Sequence, residues 1–262
     1  MRRVRVIPTL LLRNGGLVKT VRFRRDFYLG DPINTVRIFN EKEVDELVVL
    51  DIDATRERRA PAIRVVEDIA GECFMPLAYG GGITKIEEVA QILHAGAEKV
   101  VLNSALMTHP KTIEAAALRF GSQSVVVSID VRRTLLRGRK VYTHGGTRVS
   151  ALSPVAAALR AVELGAGELL INSIDRDGTY KGYDVDLIRS IAAAVPVPVI
   201  ACGGARNIDD FLVAIRDGHA SAVAAGSLFV FQGIHRAVLV NFPELSVLES
   251  HLFRPLSAAT NV

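Results

Sequence analysis

The sequence predicts a single α/β domain, a closed (β/α)8 barrel, on three observations. Eight short β-branched runs alternate with eight segments of helical period, the pattern of βα units around a parallel sheet. The chain has 262 residues, which suits one such barrel. Motifs of its first half recur in the second at a fixed spacing, as in a duplicated fold.

Strands are expected at 4–12 (VRVIPTLLL), 46–53 (ELVVLDID), 76–80 (PLAYG), 98–103 (EKVVLN), 124–130 (SVVVSID), 168–173 (ELLINS), 198–202 (PVIAC) and 221–226 (SAVAAG). The amphipathic segments between them are 33–43, 60–71, 84–95, 110–120, 151–164, 184–194, 207–217 and 232–240. A doubly wound open sheet would need a nucleotide fingerprint after its first strand, and Leu12-Arg13-Asn14-Gly15-Gly16 does not supply one. The expected organisation is a TIM barrel over 1–242, with half-barrels of about 1–122 and 123–242, and a tail over 243–262 to which no role is given.

Composition narrows the class. Hydrophobic residues make up 49% and charged residues 23%, the balance of an ordinary globular domain rather than a disordered or disulfide-stapled chain. Two cysteines, Cys73 and Cys202, form no CxxC pair and no metal spacing, so a cytoplasmic location is expected and no metal or organic cofactor is implied. No uninterrupted apolar run reaches the roughly 18 residues of a membrane span, and 191–201 is broken by Pro196 and Pro198. The start lacks the cleavage site of a signal peptide. The net charge of +4 comes with basic clusters at Arg22, Arg24 and Arg25 and at Arg132, Arg133, Arg137, Arg139 and Lys140. There is no Trp and only five Tyr, so stacking partners for nucleic acid are scarce and nucleic acid is not an expected ligand. The first cluster is read as a loop that meets an anionic small molecule. The six histidines (His94, His109, His144, His219, His235, His251) are assigned to the surface.

The repeat carries the chemistry. Glu46 and Asp53 recur 122 positions later as Glu168 and Asp175, and Gly81-Gly82 recurs at the same spacing as Gly203-Gly204. Asn103-Ser104 meets Gly226-Ser227 after one further residue. Each half thus has a glycine cluster after its third strand and a small polar pair after its fourth. Glycine admits close backbone approach, and barrel loops at the C-terminal ends of the strands commonly hold phosphate. The plainer reading is a pair of tight strand-to-helix turns. Duplication favours two phosphate sites, hence a ligand with a phosphate at each end.

Asp51, Asp53, Asp130, Asp175 and Asp177 crowd the same face. Asp130 ends an apolar run, a setting that raises a carboxyl pKa and suits acid–base work. Helix capping is the plainer role for Asp177 and Asp184. The half-barrel counterpart of Asp130 lies near the end of strand one, at Leu11, which cannot move a proton. At the opposite strand ends stand Arg5, Glu46, Lys99 and Glu168, with alternating and cancelling charges. Their spacing alone favours four charges reaching solvent from the rim, because a buried quartet must offset its desolvation by close pairing.

The segments DELVVLDIDA, YGGGI, GAEKVVLNSA, FGSQSVVVSID, LGAGELLINSIDRDGTYKGYD and PVIACGGA together resemble the cyclase subunit family of imidazole glycerol phosphate synthase, HisF, over roughly residues 4–242. The resemblance implies a barrel fed with ammonia by a glutaminase, HisH-like, docked on its N-terminal face. A bis-phosphorylated ribulosyl-aminoimidazole substrate would be converted at the other face to imidazole glycerol phosphate and an aminoimidazole carboxamide ribotide. Carried over position by position, it makes Arg5, Glu46, Lys99 and Glu168 an ammonia gate, reversing the rim reading. It assigns phosphate binding to Gly82, Asn103, Ser104, Asp177, Gly178, Gly203, Gly204, Gly226 and Ser227, and catalytic roles to Asp130 and Lys19. Leu11 stands where the family has its second catalytic aspartate. That departure resembles a diverged paralogue found with bacterial surface-polysaccharide genes, in which glutaminase and barrel supply ammonia to a separate amidotransferase. Three readings follow: an ammonia-receiving subunit of that kind, a cyclase that tolerates Leu11 with Asp51 assisting Asp130, or an inert binding scaffold.

Overall fold

The computed structural model describes residues 3–134, 138–233 and 235–260. Arg137 of the second basic cluster and the last two residues of the tail lie outside them. Eight parallel strands close on themselves: β1 (Arg5–Arg13), β2 (Leu47–Asp51), β3 (Leu77–Gly80), β4 (Lys99–Leu102), β5 (Val125–Thr134), β6 (Glu168–Ser173), β7 (Val199–Cys202) and β8 (Ala222–Ala225). Each pairs with its successor, and β8 returns to β1 through Arg5 opposite Ala222 and Pro8 opposite Ala225. The expected TIM barrel is the fold observed.

Strand alternation sorts the side chains into two cores. Along β1, Val6, Leu10 and Leu12 face outward into the layer beneath the helices, whereas Ile7 faces the barrel axis. Ile7 meets Val48, Ala78, Val101, Val126, Leu170, Ile200, Cys202, Ala222 and Ala224 there, a filled interior rather than an open pore. The same alternation puts Arg5 below Ile7 and Thr9 and Leu11 above it, so one strand carries floor, core and mouth.

Several helices start on residues that the sequence offers as caps. Asp31, Ser153, Asp184 and Asn207 each accept a backbone N–H three residues on, and Pro32 and Pro154 open their helices. Asp184 is therefore the expected helix cap. Asp177 is not; it lies in the mouth under Lys19.

The described residues of 232–240 do not form the expected helix. Gly233 turns at φ 71, and Phe231–Gln232 pairs antiparallel with Ala237–Val238 instead. The last helical segment comes later, as Leu245–Leu248, a wider π-helical turn over Glu249–Phe253, and Arg254–Thr260. Pro255 has no N–H to donate back into that turn, which accounts for the break in regular helix. Leu248, Leu252 and Leu256 join the outer core, so residues beyond 242 cover the barrel wall beside helix Ile208–Arg216. No helix among the described residues is long and apolar enough to cross a membrane.

Candidate active site at the barrel mouth

The floor of the barrel is a closed ring of charge. Arg5 donates to Glu46, and through its other terminal nitrogen to Glu168 Oε1 at 2.7 Å. Lys99 Nζ donates to Glu46 at 3.0 and 3.1 Å and to Glu168 Oε2 at 3.0 Å. Each carboxylate thus serves both cations. Glu46 is buried, and the Arg5 side chain is only 27% exposed, so these charges do not reach out from a rim into solvent. Burial works against the Arg5 charge, but Glu46 and Glu168 outweigh it and hold the guanidinium above its ordinary pKa. The pairing that a buried quartet requires is present.

At the other end, β1, β4, β5, β6 and the glycine loops after β3 and β7 surround one cavity. It is lined by Leu11, Leu50, Asn103, Asp130 and Asn172, with Lys19 and Asp177 on one side. Ladder register fixes the half-barrel correspondence: Leu11 lies opposite Leu50 on β2, and Asp130 lies opposite Asn172 on β6. One step on, Leu12 faces Asp51 and Val131 faces Ser173, with Ser173 again 122 positions from Asp51. Leu11 is therefore the positional twin of Asp130. One half presents a polar pair to the mouth and the other an apolar pair.

Asp130 is buried, and its carboxyl is pushed up to about 7. Loss of hydration is the main cause and the nearby charge of Asp177 the next; hydrogen bonds from Asn172 and Ser128 act in the opposite direction. Asn103 Nδ2 also donates to Asp130 Oδ2 at 3.2 Å. A carboxyl with this pKa exchanges a proton near neutrality, the property general acid–base catalysis needs. Asp51 is placed differently. Arg59 grips both its oxygens, at 2.8 and 3.3 Å, and Oδ1 also accepts the N–H groups of Asp53 and Ala54. Those contacts assign Asp51 to holding its loop rather than sharing a proton with Asp130.

Lys19 lies on a strand, Gly16–Val21, that folds back along β1. Its Nζ donates to Asp177 Oδ1 at 2.7 Å, both residues buried. Thr20 donates to the other Asp177 oxygen at 3.3 Å. The glycines are required where they stand. At Gly82 (φ 73) a Cβ would sit 2.3 Å from the Arg59 carbonyl oxygen, and at Gly204 (φ 115) 2.2 Å from that of Gly182. Gly178 and Gly203 also take positive φ. These constraints satisfy the tight-turn reading.

Sequence reasoning missed three features. Asn172 and Thr9 face the mouth, and the alternation outward from Glu168 and Arg5 would have placed them there. His144 was assigned to the surface, but its backbone N–H donates to Ser104 Oγ at 2.9 Å, which seats the tip of a hairpin on the mouth. That hairpin pairs the end of strand Gly138–Thr143 with Arg148–Val149. Of the first basic cluster, Arg22 donates to the Asp175 carbonyl. No cluster of metal-ligating side chains occurs among the described residues.

Comparison with known proteins agrees with this architecture. The family profile described as histidine biosynthesis protein matches residues 5–235. A Pseudomonas aeruginosa protein provisionally named imidazole glycerol phosphate synthase subunit hisF2 is 52% identical over 249 residues, covering 95% of this chain and 99% of its own. A Leptospira interrogans protein provisionally named as the HisF subunit is 49% identical over 244 residues, 93% and 96% of the two chains. A Vibrio vulnificus protein provisionally named hisF3 is 47% identical over 247 residues, 94% and 95% of the two. With a matched profile over most of its length, a closed eight-stranded barrel and relatives aligned almost end to end, the chain belongs to the histidine biosynthesis protein family, as a subunit of the HisF type.

Proposed function

We propose that this chain is the ammonia-receiving barrel of a glutamine-dependent synthase, and that its main product is ammonia delivered onward rather than an imidazole ring. The observation that carries the reading is the pairing of an intact charged floor with a mouth in which an apolar residue, Leu11, is the positional twin of Asp130. The floor keeps all four charges in mutual contact beneath an apolar interior. A glutaminase subunit would dock on the N-terminal face, where Phe74 is 89% exposed in the loop before β3. Ammonia would cross the barrel past the Ile7 and Val48 layer and emerge among Thr9, Asn172 and Asp130. The acceptor, in the paralogue reading, is a sugar held by a separate amidotransferase, in bacterial surface-polysaccharide synthesis.

The second reading is a cyclase in which Asp130 works without an aspartate at position 11. The near-neutral titration of Asp130 and its Asn172 and Asn103 partners favour it. Loss of one member of an acid–base pair typically costs about 10² to 10⁴ in rate. The experiment is cyclase turnover with the bis-phosphate substrate and excess ammonium, for the unaltered chain and for Leu11→Asp. Ammonia delivery predicts silence from the first and recovery in the second. Ready turnover by the unaltered chain refutes it. Binding of a glutaminase without any stimulation of glutamine hydrolysis would instead support an inert scaffold.

A further inference from the structure

We propose that a second cavity, outside the barrel mouth, binds an uncharged, ring-sized molecule that accepts a hydrogen bond. It lies between the mouth-side ends of β1 and β3 and the start of helix Ile63–Glu72. Its occupancy is transmitted to the mouth through Asp51, which lines both cavities. The inference stands or falls separately from ammonia delivery.

Strand alternation builds this space. Leu50 packs toward the barrel axis, so its neighbour Asp51 turns outward, as do Leu12 and Tyr79. With Ala62 and Val65 these side chains border a cavity of about 140 Å³. One water needs only roughly 10–15 Å³, whereas a dry cavity of about 150 Å³ accommodates benzene. Tyr79 is fully buried, and its hydroxyl has no hydrogen-bond partner among the described residues. The groups that act on that hydroxyl are Asp51, Arg59 and the Ala62 amide, and all three residues line the cavity, so the hydroxyl faces into it. The Ala62 amide is near it without reaching hydrogen-bond geometry. Buried hydroxyls are normally paired, and this one lacks a partner beside open space. Burial first, and the Asp51 charge second, push the phenol up to about 12, so it stays protonated and donates.

The rest of the lining selects for charge. Helix Ile63–Glu72 begins at Ala62 with no side-chain cap and no acidic residue in its first turn, so its opening N–H groups remain donors. Asp51 is the one carboxylate lining the cavity among the described residues. Both its oxygens are gripped by Arg59, and Oδ1 also accepts the Asp53 and Ala54 amides. An anion would be repelled by Asp51, and a cation would find that carboxylate already taken. A neutral acceptor meets neither obstacle, and Leu12, Ala62 and Val65 give its ring apolar contact. The same Asp51 contacts tie the cavity to the mouth. Thr55, next in the loop after Ala54, accepts the Gly82 N–H at 3.3 Å and lines the mouth. A molecule that presses on Asp51 or Arg59 therefore shifts that loop.

The test is a titration of the intact chain with pyridine, benzene and acetate at neutral pH, where pyridine is uncharged, followed by amide NMR. Pyridine is expected to shift the Ala62 and Val65 amides and, through Asp51, those of Asp53 and Ala54. Tyr79→Phe keeps the ring and removes the hydroxyl, so it should weaken pyridine at least about fivefold and leave benzene unchanged. Benzene thereby reports that the cavity survives in the variant. Acetate is expected to leave these amides unmoved. Pyridine affinity unchanged in Tyr79→Phe, acetate binding more tightly than pyridine, or no shifts at tens of millimolar pyridine would each overturn the proposal. Pyridine binding that leaves Asp53 and Ala54 unmoved would overturn transmission to the mouth. The pyridine and acetate titrations of the unaltered chain decide the matter even where the variant does not fold.

Discussion

Replacing Asp130 by asparagine should stabilise the protein at pH 8 and cost it only about 1 kcal/mol at pH 4. Burial, with the Asp177 charge as a second cause, moves the Asp130 carboxyl from 3.8 to about 7. Between those values the folded chain still holds a proton that the unfolded chain has released. The free energy of unfolding therefore falls as pH rises through that window and is level above it. Three pK units at 1.36 kcal/mol each set an upper bound of about 4 kcal/mol on the loss. Asparagine carries no such proton, so the variant escapes the decline. It also turns one acceptor into a donor opposite Asn103 Nδ2, a mismatch of about 1 kcal/mol. That mismatch does not depend on pH and shifts the whole curve without changing its shape. Urea unfolding of both proteins at half-unit steps from pH 4 to 8 separates the two effects. A difference between them that stays constant across the range would refute the argument that Asp130 is held protonated by its surroundings.

Other perturbations address the rest of the frame. Glu46→Gln leaves Arg5 and Lys99 to share Glu168, and a loss of about 1–3 kcal/mol in chemical unfolding is expected, reduced from the fully buried case because Arg5 is partly solvated. Gly204→Ala drives a methyl group against the Gly182 carbonyl at a positive φ and should lower the melting temperature by roughly 4–8 °C, for about 2 kcal/mol in a chain of this size. Leu252→Ala should cost about 2–4 kcal/mol by thermal or urea unfolding. A loss below half a kcal/mol would show that the segment after residue 242 does not complete the outer core.

Much of the architecture could be read from residues alone, because β-strand periodicity and a duplicated spacing are local signals. Glu46 and Glu168 announce the floor, and Gly81-Gly82 with Gly203-Gly204 announce the mouth, at one shared offset. What spacing could not weigh was the energetics of the floor. Whether four charges snorkel or close into a ring depends on the inward pointing of Arg5 and Lys99, which only the three-dimensional register decides. The eighth helix was misplaced because 232–240 has helical period, yet Gly233 turns the chain there. Leu245, Leu248, Leu252 and Leu256 carry the real helical spacing, and Pro255 among them hides it. The His144 contact had no signal of its own, since it runs through a backbone N–H and any residue type supplies one.

The ring under the barrel has a consequence for what can enter it. Two positive and two negative groups in alternation, Arg5, Glu46, Lys99 and Glu168, cancel as a net charge and nearly cancel as a dipole. What remains is a quadrupole, whose potential fades within a few ångströms of its plane. The layer of Ile7, Val48, Val101 and Leu170 above it therefore feels almost no field from four full charges. An ion that left its water to climb into that layer would find nothing to replace the lost hydration. A small neutral molecule would lose little by the same step. Under the ammonia-delivery proposal, the base of this barrel would sort by charge before it sorts by size.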